Sequence, residues 1–215
     1  MNESERSAGQ LRLRQQLQAH GIRDLRVLDV MESTPRDLFV PQANRHAAYD
    51  DNALPIGSGQ TISQPYIVAL MTHALGLRGD ETVLEIGTGC GYQTAVLARL
   101  CRSVVTIERI KELAQPAKEL LSQLQFTNIE FHGGDGTMGW PESAPYDGIL
   151  VTAATPEVPA PLYNQLKIGG KLIIPVGDES LQMLQCIERR ERKPFITDLC
   201  ACRFVKLIGD AGWNV

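Results

Sequence analysis

The chain has 215 residues, 43% hydrophobic and 21% charged, enough apolar material for one domain with a sizeable core. Its formal net charge is -4, and its basic residues are scattered except for Arg189-Arg190-Glu191-Arg192-Lys193, a run read as a solvated hairpin turn, so no nucleic-acid partner is expected. Met1 to Gln10 is polar and no apolar run approaches the ~20 residues of a membrane span; a soluble, cytoplasmic protein without a membrane partner is expected. The five cysteines (Cys90, Cys101, Cys186, Cys200, Cys202) form no C-x-x-C pair, and the four histidines form neither H-x-H nor H-E-x-x-H. Neither a disulfide framework nor a metal site is expected.

In chain order, Leu13 and Leu17, then Leu25, Val27, Leu28, Val30 and Met31, recur at helical spacing and predict two short helices in the first forty residues. Thr34-Pro35 ends the second, because the residue before proline is pushed out of the α region. Pro41 to Gly59 reads as a loop. A helix follows with Ser63 as its serine cap, Pro65 in its first turn, an apolar face of Ile67, Val68, Leu70, Met71, Ala74 and Leu75, and Gly76 as its stop. From residue 82 short apolar strands alternate with helices: strands at Thr82 to Ile86, Val104 to Ile107, Ile129 to Phe131, Gly148 to Val151 and Lys171 to Val176, and helices at Tyr92 to Leu100, Lys111 to Gln125 and Pro159 to Leu166, the last before a Gly169-Gly170 turn. Continuous apolar strands alternating with helices predict a parallel sheet covered on both faces, the doubly wound α/β class, with ligands beyond the carboxyl ends of the strands. Leu181 to Glu188 and Leu199 to Ile208 predict an antiparallel edge pair. The chain thus divides into N-terminal helices and loop (1–60), a core (61–177) and C-terminal strands (178–215) within one domain.

The strongest chemical signal is Val83-Leu84-Glu85-Ile86-Gly87-Thr88-Gly89-Cys90-Gly91-Tyr92, a strand running through G-x-G-x-G into a helix. Such glycines let the backbone approach a ligand closely. The nicotinamide fingerprint G-x-G-x-x-G requires glycine at position 92, where this chain has tyrosine, which disfavours a dehydrogenase. Glu108, at the tip of the second strand, is suited to accept hydrogen bonds from both hydroxyls of an adenosine ribose; the alternative is a surface charge paired with Arg109 or Lys111. Asp135, in Gly133-Gly134-Asp135-Gly136, is suited to accept from an adenine amino group, or the segment is an ordinary turn.

Leu54-Pro55-Ile56-Gly57-Ser58-Gly59-Gln60-Thr61-Ile62-Ser63-Gln64-Pro65 followed by the glycine loop closely resembles the bacterial protein-L-isoaspartate O-methyltransferase family. Pro35-Arg36, Phe39-Val40-Pro41, Gly134-Asp135-Gly136 with Gly139-Trp140, Tyr146-Asp147, Val151-Thr152-Ala153-Ala154 and Pro175-Val176-Gly177 carry the resemblance across roughly residues 20 to 213. The resemblance implies a Rossmann-like, class I S-adenosylmethionine-dependent methyltransferase sheet with extra N-terminal helices. It also implies methyl transfer to the free α-carboxylate of L-isoaspartyl residues in damaged proteins and peptides, D-aspartyl sites being left open; a monomer is expected, although the sequence does not disclose the oligomeric state. Cofactor contacts implied are Gln60, Thr61, Glu85, Gly87, Thr88, Gly89, Gly91, Glu108, Arg109, Asp135 and Gly136; substrate contacts are Ile62, Ser63 and Val205, with Ser63 as the active-site residue. Lys206 stands where the family usually has proline, and Cys90 where it usually has serine. Ser63 thus carries two readings, helix cap and substrate hydrogen-bond donor. Two other functions share the cofactor loop: methylation of a small molecule or peptide precursor, and non-catalytic binding.

Overall fold

A computed structural model describes residues 2–214. Its first element is a helix longer than its two core leucines suggested. Helix α1 (Glu3–Ala19) starts from a reciprocal cap in which the Asn2 side chain accepts from the Glu5 amide and Glu5 accepts from the Asn2 amide, both at 2.9 Å. It buries Leu13 and Leu17, and it packs on α2 (Leu25–Ser33), which Thr34 ends in extended geometry as expected before Pro35. Arg6 forks onto the buried carboxylate of Asp37, which also accepts from the Tyr49 hydroxyl at 2.8 Å, so the 3-10 turn Arg36–Phe39 is tied to the first helix.

A two-stranded hairpin, β1 (Leu54–Gly57) and β2 (Gln60–Ile62), leads through Ser63 to α3 (Pro65–Leu75), which Gly76 closes at φ +69°. The serine cap is overturned here. The cap position is Gln64, whose side chain makes no capping bond, and the Asp51 carboxylate accepts from the Tyr66 amide at 2.8 Å. A carboxylate from a distant loop has taken the helix-end donor, and Ser63 lies one residue too early.

The main sheet has seven strands in the order β5-β4-β3-β6-β7-β8-β9. Strands β3 (Thr82–Ile86), β4 (Ser103–Glu108), β5 (Ile129–Gly133), β6 (Tyr146–Val151) and β7 (Leu166–Gly177) are parallel; β8 (Gln182–Glu188) and β9 (Phe195–Cys202) add antiparallel at one edge. Helices α4 (Tyr92–Ala98), α5 (Lys111–Gln123) and the short α6 (Ala160–Asn164) join the parallel strands. Apolar side chains form two buried clusters, one containing Val83, Val104 and the N-terminal helices, the other Leu84, Val105, Ile149 and Leu172. Strands β3, β4, β6 and β7 send residues into both, as a sheet covered on both faces requires, whereas the edge strands β5 and β9 contribute to the first alone. Chain order reverses across the β3–β6 pair, whose carboxyl ends form the switch point of the sheet.

Besides shifts of a few residues at other ends and a hairpin begun inside the expected Pro41 to Gly59 loop, three elements differ from expectation. The expected helix to Leu166 shortens to α6, and Gly169-Gly170, read as a turn, is a bulge inside β7, since Leu166 pairs with Tyr146 but Lys171 already pairs with Gly148. The last strand covers Phe195–Cys202 instead of Leu199 to Ile208, because the hairpin at Arg189–Lys193 fixes Glu188 opposite Phe195. Beyond it the chain crosses to the sheet centre, where Ala154 donates to Val205 O and accepts from the Leu207 amide, both at 2.7 Å.

Beneath the glycine loop runs a buried polar chain. Thr88 bonds Thr106 hydroxyl to hydroxyl at 2.7 Å, and Thr106 and Thr94 both donate to one oxygen of Glu85, at 2.7 and 2.6 Å. The other oxygen, Glu85 Oε1, is buried without a partner. Burial outweighs the two threonine hydrogen bonds and pushes the Glu85 carboxyl up to about 8, so it is largely protonated at neutral pH.

Both features bear on stability. Asp51→Ala lowers the unfolding free energy by about 1 kcal/mol in urea titrations, whereas Ser63→Ala changes it by less than about 0.5 kcal/mol; the reverse order would restore the serine as the cap. Because the folded protein holds the Glu85 proton more tightly than the unfolded chain, wild-type stability falls relative to Glu85→Gln as pH rises from the unfolded carboxyl range towards about 8. The difference grows by roughly 2 to 4 kcal/mol over that window, and parallel stability curves for the two proteins contradict the buried, protonated assignment.

Candidate active site

A cavity of about 360 Å³ opens at the switch point, within the range of small-molecule sites. One wall is the hairpin and the segment after it, Ile56, Gly59, Gln60, Thr61, Ile62 and Ser63. The floor is Ile86, Gly87, Thr88 and Gly89, the far side is Ile107, Glu108, Arg109, Ile110, Leu113, Gly134 and Gly136, and the C-terminal segment Val205 to Ile208 closes the remaining side.

Glycine is required at the floor for reasons of space and backbone angle. Gly87 has φ +93°, and a Cβ there would stand 2.2 Å from Thr152 Oγ1, which itself donates to Gly87 O at 2.8 Å and to Ile86 O at 3.0 Å. A Cβ on Gly136 would stand 2.5 Å from Ile86 Cγ2, so the β5 loop rests directly on the end of β3. Gly134, by contrast, has open space where a Cβ would project. Close backbone approach thus builds the floor, while openness at Gly134 leaves room on the far side.

Glu108 is buried, and each carboxylate oxygen accepts one backbone amide: Oε2 from Gly89 at 2.8 Å and Oε1 from Ile110 at 2.9 Å. Two of its roughly four lone-pair sites are therefore used, and two remain. Arg109 lines the cavity beside it. Among the described residues the half-buried Ser63 hydroxyl makes no hydrogen bond, while the Ser63 carbonyl accepts from Arg36 Nη2 at 2.8 Å. Ser63, whose hydroxyl is not used in capping, lines the cavity wall. Burial pushes the thiol of Cys90, a residue of the cavity lining, up to about 11, so it is neutral at physiological pH.

Of the residues singled out in the sequence, Gln60, Thr61, Ile62, Ser63, Gly87, Thr88, Gly89, Glu108, Arg109, Gly136 and Val205 come together on this cavity. Three do not. Glu85 is fully buried in the polar chain beneath the floor. Gly91, at φ +87°, turns its Cα towards helix α5, where a Cβ would meet Leu121 Cδ1 at 2.9 Å; it permits helix packing. Asp135 caps its own 3-10 turn through the Thr137 amide and hydroxyl, and its other oxygen accepts from the Asp210 amide at 2.8 Å. Burial raises the Asp135 carboxyl, but the Asp210 and Thr137 donors together outweigh it and hold the group below its ordinary range. The C-terminal segment thus donates to one oxygen of the carboxylate expected to face a ligand, and Asp135 is not among the residues that line this cavity. Wall residues not singled out as contacts include Ile110, Leu113 and Thr152. Thr152 follows β6 directly at the switch point, which the doubly wound pattern alone was enough to indicate.

The family model for protein-L-isoaspartate(D-aspartate) O-methyltransferase matches residues 9–212. The protein-L-isoaspartate O-methyltransferase of Syntrophus aciditrophicus is 53% identical over 204 residues, covering 93% of each chain. That of Dictyoglomus turgidum is 52% identical over 198 residues, covering 92% of this chain and 90% of its own. A solved protein-L-isoaspartate O-methyltransferase superposes with a TM-score of 0.84 at 30% identity, covering 94% of this chain and 67% of that one. A Plasmodium falciparum protein assigned to the same activity, crystallised with S-adenosyl-L-homocysteine, superposes with a TM-score of 0.79 at 25% identity over 91% of this chain and 96% of its own. The chain belongs to the protein-L-isoaspartate(D-aspartate) O-methyltransferase family.

Proposed function

We propose that the protein transfers a methyl group from S-adenosylmethionine to the free α-carboxylate of L-isoaspartyl residues in damaged proteins and peptides, leaving a methyl ester and S-adenosylhomocysteine. One observation carries this reading in the molecule itself: the Gln60–Ser63 wall, with an uncommitted serine hydroxyl, faces the glycine floor and Glu108 across a single cavity.

The residues present fit the cofactor. Glu108 keeps two acceptor sites for ribose hydroxyls, Ile86, Ile107, Ile110 and Leu113 supply apolar walls for a planar base, and Gly134 leaves space beside them. Gly87, Thr88 and Gly89 would face the methionine end, with Gln60, Thr61 and Arg109 at the rim. When bound, the cofactor supplies an activated methyl carbon on a sulfonium.

An α-carboxyl group ordinarily loses its proton near pH ~3.5 and is already ionised at neutral pH, so the protein has no proton to remove. Its work is to hold one carboxylate oxygen in line and to keep water from it, a positioning role worth several kcal/mol. Ser63 would donate its hydroxyl to the substrate carboxylate, Ile62 would cover the site, and the segment at Val205, held to Ala154, would support the peptide backbone. The neutral Cys90 thiol does not compete for the methyl group, because the thiolate is the nucleophile. The methyl ester carries a better leaving group than the ionised acid, so attack of the neighbouring backbone nitrogen on its carbonyl forms the C–N bond, breaks the C–OCH3 bond, expels methanol and closes a succinimide. Hydrolysis of the ring returns part of the chain to ordinary aspartate. Among the described residues no helix is long and apolar enough to cross a membrane, and the role as a protein-repair enzyme fits a cytoplasmic monomer.

Paired peptides differing only in an isoaspartyl or aspartyl linkage test the reading. Radiolabelled methyl incorporation into the isoaspartyl member alone is the expected result; equal labelling, or none while S-adenosylhomocysteine still binds, contradicts it. Ser63→Ala lowers kcat/KM for the isoaspartyl peptide about ten- to hundredfold, the worth of one hydrogen bond to a charged group, and wild-type kinetics in that variant remove Ser63 from the mechanism.

A further inference from the structure

Arg36 is fully buried, yet none of its nitrogens meets a carboxylate. Nε donates to Ala48 O and Nη2 to Ser63 O, each at 2.8 Å, and Nη1 has no partner. The guanidinium carbon lies 4.9 Å from the centroid of the Tyr92 ring. The Asp37 carboxylate is paired with Arg6 and Tyr49, and Asp51 hydrogen-bonds the start of α3 and reaches Arg36 only through space. Burial draws the guanidinium below its ordinary value, but an arginine remains charged throughout the physiological range.

A cation taken out of water normally has an anion beside it, because neutral carbonyls do not repay the loss of hydration. Here the positive charge sits behind two residues that line the cavity, Ser63 and Tyr92, and no carboxylate touches it, Asp51 acting on it only through space. A serine carbonyl needs only a donor to hold it; a full charge with an unused N–H exceeds that need.

We propose that Arg36 is a positioning and charge-selecting residue for the substrate: it fixes the Ser63 segment through the carbonyl and gives the adjoining wall a positive potential that favours an ionised carboxylate over a neutral group. This rests on the isoaspartyl reading above. Its consequence is directional. The anionic substrate is held, and the neutral methyl ester formed from it loses the attraction and leaves.

The test uses full-length protein saturated with S-adenosylhomocysteine and calorimetric titration of two peptides of one sequence, one isoaspartyl and one carrying the neutral isoasparaginyl amide. Wild type is expected to bind the acid at least tenfold more tightly. Arg36→Gln reduces that ratio to threefold or less with S-adenosylhomocysteine affinity unchanged, and Arg36→Lys, which keeps the charge, restores most of it. Ser63→Ala loses a donor that serves acid and amide oxygens alike, so it weakens both peptides, but it retains the carbonyl that Arg36 grips and keeps more than half of the wild-type preference, a result independent of whether the Arg36 variants fold. Equal binding of acid and amide by wild type, an undiminished ratio in Arg36→Gln, parallel losses of ratio and S-adenosylhomocysteine affinity in the glutamine and lysine variants, or loss of the preference in Ser63→Ala overturns the proposal. Wild-type protein that methylates the isoaspartyl peptide selectively while failing the acid–amide comparison rejects the charge role and leaves the methyltransferase reading standing.

Discussion

Everything at the active site depends on how closely the ends of the two central strands can lie. Thr152, the first residue after β6, hydrogen-bonds to Ile86 and Gly87 at the end of β3 and leaves no volume for a side chain on Gly87. The chain therefore departs from the sheet as bare backbone, and the space above it becomes a cavity instead of a packed core. The same constraint recurs two strands away, after β5, where Gly136 rests on Ile86. A floor built from backbone and fixed by hydrogen bonds needs little reorganisation when a ligand arrives, which suits a reaction in which alignment is the main task.

The wall opposite that floor depends on a division of labour among residues far apart in sequence. Asp51 takes the end of α3, which leaves the Ser63 hydroxyl free; Arg36 holds the Ser63 carbonyl from behind; Arg6 and Tyr49 anchor Asp37 beside it in the same 3-10 turn. The N-terminal helices thus act on the site indirectly, by supporting the 3-10 turn that carries Arg36. Beneath the floor, the Thr88–Thr106–Glu85–Thr94 chain ties the glycine loop to β4 and α4 through a carboxyl kept neutral by burial.

The parallel core was legible because its strands are short, continuous apolar runs: β3 lies where Thr82 to Ile86 indicated, and Glu108 stands at the tip of β4. What escaped the sequence was decided by long-range contacts. Periodicity showed Leu13 and Leu17 but not how far α1 extends, although Asn2 and Glu5 carry the spacing of a capping box. Ser63 has every local property of a cap and lost that position to a carboxylate twelve residues earlier. Asp135 looked free for a ligand because nothing in its neighbourhood reveals that Gly209 and Asp210 return to cover it. Gly91 belongs to the recognised loop yet faces α5, a distinction of direction that spacing does not encode. The tail strand was displaced because alternation alone does not set register; the hairpin at Arg189–Lys193 does.

The central claim, that unfilled volume above the glycine floor is the cofactor site, is tested most directly by calorimetric titration of S-adenosylhomocysteine into wild-type protein and a Gly89→Val variant. Gly89 lines the cavity at φ +55°, where a branched side chain is both strained and obstructive. The account predicts one molecule bound per chain in wild type and at least tenfold weaker binding in the variant. An absence of binding in wild type, or equal affinity in both proteins, would contradict it.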